Sequence, residues 1–291
     1  MRKISKLSIM ALTLLLACTI SGCGANEKTV TESEEIKKAI QKLDETKNYR
    51  YTIFAEGNGL PLIKKEDGTA ELSDQANKSD RKIVKKDESI YSFENDFFDG
   101  REMAGVKIIA DDVTMLDLTL IDEQHAELSD FVTRDITFEL KNEQSVLLPF
   151  LEEGEYAKYY TISSETKEDN KIYTIHCNDV KAYDEACIKA AKDKNPNYDP
   201  LENQGQKLTK KELLKEDFVV TVNKDGYITE LVCETETDYG DNLIGKLTNT
   251  ERYSDFDKIE LDTDYIDILI KDQQTGKTKE GDVVDLKGLD Y

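Results

Sequence analysis

The sequence predicts an α+β protein: one large curved antiparallel sheet with helices packed on its concave side. Three observations lead there. Short segments alternating apolar and polar residues recur along most of the chain, the period of half-buried strands. One amphipathic helical stretch precedes them and a second interrupts them. Tyrosine, a strand former, occurs 14 times, while tryptophan is absent.

The first element lies ahead of the fold. Arg2, Lys3 and Lys6 give a basic start, and Ile9 to Ala17 an apolar core. That core is too short for a bilayer span of about 20 apolar residues, so residues 1–22 read as a signal peptide. Ile20-Ser21-Gly22-Cys23 closes it and looks like a bacterial lipobox. Cys18 is the competing thiol, but Leu16 stands where a small residue is preferred. The expectation is cleavage before Cys23 and acylation of its thiol. Residues 23–32 then form a tether holding the fold at the outer face of the bacterial cytoplasmic membrane.

The expected fold is a single domain over 33–270. Ile36, Ile40 and Leu43 share one face of a helix predicted over 33–47, with Thr31 and Glu34 at capping-box spacing. A strand over 49–57 follows, then weaker strands at 68–73, 80–86, 88–94 and 105–110. Leu116, Leu118 and Leu120 alternate with Asp117 and Thr119, predicting a strand through Thr114 to Ile121. Another is expected at 133–141, followed by a short helix at 145–152 that contains Pro149. Strands at 156–164 and 171–177 flank a turn-rich Lys167-Glu168-Asp169-Asn170.

From Asp179 to Glu216 the period turns helical, and this stretch reads as an insertion. Val180, Tyr183, Cys187 and Ala190 lie along one face with Asp179 as cap. Asn195-Pro196-Asn197 ends the helix, and 209–215 promises another helical turn or two. Phe218, Val220 and Val222 alternate up to Asn223-Lys224-Asp225-Gly226, and Ile228 to Cys233 return, the best hairpin signal in the chain. Strands at 248–256 and 258–270 complete the domain. Residues 271–291 read as a loose tail.

Composition excludes some partners. The signal peptide holds three of 39 basic residues and none of 61 acidic ones, leaving the mature chain at a formal −25. Such a charge argues against nucleic acid, whose affinity rests on Lys and Arg neutralising phosphates. No cofactor motif occurs, and the acidic clusters lack calcium-loop spacing. His176 and Cys177 are neighbours in a predicted strand and so face opposite sides, which argues against a metal site. Cys177, Cys187 and Cys233 are an odd set, for which a disulfide is permitted but not required. His125 and His176 are the chain's two imidazoles, and neither sits in a nucleophile motif. No catalytic residue is assigned, and an enzyme is not expected.

Four stretches resemble the LolA/LppX-like superfamily of envelope lipid carriers. They are Asn48 to Ile53, and Ser145 to Leu151 leading through Tyr159 into Lys171 to His176. Phe218 to Val232 around Lys224-Asp225-Gly226 is the third, and Tyr253 to Asp257 before Ile259 the fourth. The resemblance implies a half-barrel sheet with helices over its mouth and, in the carrier members, binding of acylated lipids. It supplies no catalytic residues, and the insertion at 179–216 has no counterpart in it. The expected cavity-lining positions are Leu116, Leu118, Leu120, Val220, Val222 and Leu231. The expected partners are the membrane, through the anchor, and a lipid or other hydrophobic small molecule. A non-enzymatic interaction or sensor module is the other reading.

Overall fold

A computed structural model describes residues 27–65, 70–98, 101–110, 112–122, 124–135, 159–203, 206–286 and 289. The predicted helix at 145–152 and most of the strand at 133–141 lie outside these residues, as does Cys23. Among the described residues, twelve strands form one open antiparallel sheet, joined by three helices and a separate two-stranded hairpin.

Helix α1 (Glu27–Glu45) leads into β1 (Asn48–Lys64), which forms a long hairpin with β2 (Ala70–Lys86). The meander continues through β3 (Ser89–Phe98), β4 (Arg101–Ile109), β5 (Asp112–Leu120) and β6 (His125–Asp135). On the other side of β1 the sheet is built from β7 (Tyr160–Lys167), β8 (Asn170–Cys177), β11 (Glu212–Val222), β12 (Ile228–Asp238) and β13 (Ile244–Ser254). Helix α2 (Val180–Lys194) and the hairpin of β9 (Glu202–Asn203) and β10 (Gln206–Lys207) separate β8 from β11. Helix α3 (Thr263–Gln274) and β14 (Val283–Asp285) close the described chain. In space the strands run β14-β6-β5-β4-β3-β2-β1-β13-β12-β11-β8-β7. β13 pairs with β1 over Asn58 to Arg50, so strands about 200 residues apart meet at the centre.

The expected turn at Asn223–Gly226 is present and self-capped. The Asn223 Oδ1 accepts from the backbone N–H of Asp225 and of Tyr227, both at 3.0 Å, and Gly226 takes the left-handed φ of 82°. Asp179 caps α2 as anticipated, its Oδ1 accepting from Ala182 N at 3.0 Å.

The helices do not share one side of the sheet. Paired residues share a face, so Tyr49, Ile83 and Ser92 point one way. Val84 and Tyr91 point the other. α1 buries Ile36, Ala39, Ile40 and Leu43 with Tyr49, Tyr51, Ile83, Val220, Leu231 and Tyr253 in one core. α3 buries Ile266, Leu269 and Ile270 with Tyr91, Phe93, Val106, Leu116 and Leu118 in a second, on the opposite face. The expectation of helices confined to a concave side is corrected accordingly. The apolar phase itself changes sides: in β3 it falls on Tyr91 and Phe93, leaving Ser92 and Glu94 on the face that α1 covers elsewhere.

Three local expectations are also corrected. Residues 209–215 enter β11 rather than a helix, because ladder pairing of Glu212 with Asp238 and Leu213 with Thr237 overrides local propensity. The strand expected over 258–270 is largely α3. Ile266, Leu269 and Ile270 follow a helical period, and Asp262 caps it by accepting from Tyr265 N at 2.9 Å. The 271–291 segment is not loose throughout. Val284 pairs with Ala126 in β6, and Leu286 and Leu289 are fully buried in the second core. Apolar side chains spaced too irregularly to show a period still stabilise the fold by burial, at about 1.5–3 kcal/mol each.

Candidate functional site

The six expected lining residues divide between the two cores. Val220, Val222 and Leu231 lie in the core beneath α1. Leu116 and Leu118 are buried in the core beneath α3, with Leu120 packed at its margin. Since these cores occupy opposite faces, all six do not line one cavity.

The face covered by α1 carries instead a row that sequence periodicity did not single out. Tyr253 pairs with Tyr51, Tyr51 with Arg81, and Arg81 with Glu94, so one line of side chains crosses four strands. Tyr51 and Tyr253 stack with ring centroids 5.0 Å apart. The Tyr253 hydroxyl donates to Glu251 Oε2 at 2.7 Å, and Glu251 is fully buried. Ser92 and Lys107 enter from the neighbouring row. The Ser92 hydroxyl donates to Glu94 Oε1 at 3.0 Å, and the Lys107 ammonium stands 3.1 Å from the same oxygen. Arg81 Nε lies 3.8 Å from Glu94 Oε1 and donates to Ser79 at 2.9 Å.

Burial opposes ionisation of Glu94, yet the Arg81 and Lys107 charges and the bonds from Lys107 and Ser92 outweigh it. Its carboxyl is held below the usual carboxylate range. Asp96, one turn of the pleat away, goes the other way. Burial pushes its carboxyl up, offset in part by a bond from Ser79. Burial also pushes the Tyr51 phenol up, with the Glu251 charge adding to it, so the phenol stays protonated. The result is an interior under α1 with apolar Tyr49, Ile83 and Leu43 packed on one flank and paired, buried charges on the other. Its visible sequence signal is polar residues in strand phase: Ser92 and Glu94 alternating with aromatic Tyr91 and Phe93, and Lys107 between Val106 and Ile108.

A second polar centre sits under α2. The Tyr160 hydroxyl donates to Glu216 Oε2 at 2.6 Å, and Tyr183 bonds the same carboxyl. Cys177, Cys187 and Cys233 lie in the same core region, none of them in a disulfide. Burial pushes the Cys177 and Cys233 thiols up, which leaves them protonated and unreactive.

Both imidazoles are on exposed sites with an aspartate. His125 Nδ1 lies 2.9 Å from Asp122, and His176 Nδ1 lies 2.8 Å from Asp217. Among the described residues, neither ring bonds a hydroxyl or thiol. No group of three or more His, Cys, Asp or Glu among them is placed to hold a metal ion. No described helix is long and apolar enough to cross a membrane.

No protein-family model matches the chain, and no curated protein matches it in sequence.

Proposed function

We propose that the protein is a lipoprotein anchored by Cys23 to the outer face of the bacterial cytoplasmic membrane, where it binds or carries an amphiphilic lipid. The carrying observation is the two-natured interior under α1. Tyr49 and Ile83 are buried against Ile36, Ile40 and Leu43, so an acyl chain would take the place of these α1 side chains, and the paired Arg81, Glu94 and Lys107 charges would lie at its polar end. The anchor supports the setting. Only three residues separate Cys23 from Glu27, the first of α1, so the two lie within roughly 15 Å even at full extension. α1 is in turn fastened to the sheet, with Ser164 donating to Glu32 at 2.5 Å and both Lys171 and Tyr173 donating to Glu35.

The test is solvent extraction of purified protein followed by mass spectrometry, with displacement of a fluorescent fatty acid. A co-purifying lipid and displacement are expected. Neither appearing would end the lipid reading.

A second reading is a non-enzymatic interaction or sensor module for a membrane or cell-wall partner. It is favoured by the division of the six expected lining residues between two packed cores. The formal −25 of the mature chain would then select a basic partner. Crosslinking in intact cells that captures one protein partner, with no lipid bound, distinguishes it from the first.

A further inference from the structure

Among the described residues, the two apolar cores share one sheet but no member. The core under α1 reaches β2 through Ile83, with Ile90 at the foot of β3 packed on its margin. The core under α3 starts at Tyr91 and Phe93 of β3 and runs through Val106 and Leu116 to Leu128 of β6. One core therefore stops and the other starts along the β2–β3 ladder, from Lys86 with Ser89 to Lys78 with Phe97. Backbone hydrogen bonds cross this line, as do Arg81 to Glu94 at 3.8 Å and Lys86 to Asp264 at 2.7 Å.

We infer that the continuous sheet is two separately opening units divided at β2–β3. The unit of β3 to β6, α3 and β14 opens first, while the unit built on α1, β1, β2 and β11 to β13 stays closed. Cooperative opening follows shared burial. A side chain trimmed from one close-packed core loosens the residues packed on it, and here those residues end at the backbone of the sheet itself. What happens under α1 on one face is therefore felt weakly under α3 on the other.

Size and position set the order of opening. The α3 unit is the smaller, and a smaller unit buries a smaller fraction of the surface its unfolded chain exposes. It also lies at one end of the sheet. Its outermost strand, β14, pairs Val283 to Asp285 with Glu127 to His125 of β6. Its opening separates β3 from β2 and leaves the central pairing of β1 with β13 and with β2 in place. Phe93, Leu116 and Leu118 are then uncovered, while Tyr49, Tyr51 and Leu43 stay closed under α1. The division needs no ligand and stands apart from the lipid reading.

The experiment is hydrogen–deuterium exchange on the full chain in detergent, at neutral pH and in rising urea below the unfolding transition. Amides of β4, β5 and α3 are expected to converge on one opening, at lower urea than the opening shared by β11, β12 and β13. Ile270→Val trims the core under α3. It is expected to cut protection of β4, β5 and α3 by about two- to tenfold and to leave β11 to β13 unchanged. Ile228→Val trims the core under α1 and is expected to do the reverse. Both truncations remove one methyl group, so the variants stay folded. A single opening common to all these amides overturns the inference, as does a β11 to β13 opening at lower urea than that of β4 and β5. Equal losses in both halves from either variant overturn it too.

Discussion

Lys107 and Glu94 stand on adjacent strands with ammonium nitrogen and carboxylate oxygen 3.1 Å apart, both buried within the sheet face that α1 covers elsewhere. A pair in this setting is costly to break from one side, because the remaining charge keeps its burial and loses its partner. Glu94→Gln is expected to destabilise the fold by about 3–5 kcal/mol, whereas a Glu94→Leu, Lys107→Met double variant loses much less. Urea unfolding of the single and double variants measures the difference. Equal losses would show that the pair is not coupled.

The same carboxylate sets an acid limb. The folded value of Glu94 is below the ordinary one, so its contribution is complete above the ordinary carboxylate range and fades as pH falls through the folded value. Glu216 has the opposite sign, its contribution being complete at low pH and lost as pH rises through its raised value. Thermal unfolding from pH 3 to 8 is expected to show a steep acid loss that flattens in Glu94→Gln. A parallel curve in that variant would count against the assignment.

Gly57 takes φ 131° in β1, and a Cβ there would collide with the Lys246 carbonyl of β13. Gly57→Ala therefore combines backbone strain with separation of the two central strands. A loss of at least 1–3 kcal/mol, roughly the cost of one strained residue, is expected in equilibrium unfolding. A variant as stable as the parent would mean that β1 and β13 do not approach so closely.

Leu286 lies fully buried behind α3. Leu286→Ala is expected to cost about 2–5 kcal/mol by the usual loss of transfer energy plus residual cavity. A calorimetric melting temperature unchanged from the parent would restore the view of this segment as a loose tail.

Cys23→Ser tests the anchor without touching the described fold. Metabolic labelling with an alkyne fatty acid is expected to mark the parent and not the variant, and the variant is expected to leave the membrane fraction. Labelling that persists in Cys23→Ser would move the acylation site to another residue.

Where a residue's neighbours in the chain dictate its conformation, the sequence was legible. The Asn223–Gly226 turn, the Asp179 cap and the period of α1 and α2 each rest on contacts a few residues long. The helix from Thr263 was missed for a different reason. Alternating Ile259 and Leu261 precede it, and its own i, i+3, i+4 set of Ile266, Leu269 and Ile270 is short. The candidate site was harder still. Arg81, Glu94, Lys107 and Glu251 resemble ordinary solvent-facing strand residues until pairing brings them into one buried group.

Composition and local period determined by themselves that the chain is acidic, α+β and built from antiparallel strands. Only the tertiary structure decided which side of the sheet each apolar stripe faces. Side chains alternate along every strand, but the face on which the stripe of β1 meets that of β3 depends on register through β2. That register joins Tyr49 to Ile83 and Ile83 to Ser92, and so sends α1 and α3 to opposite sides.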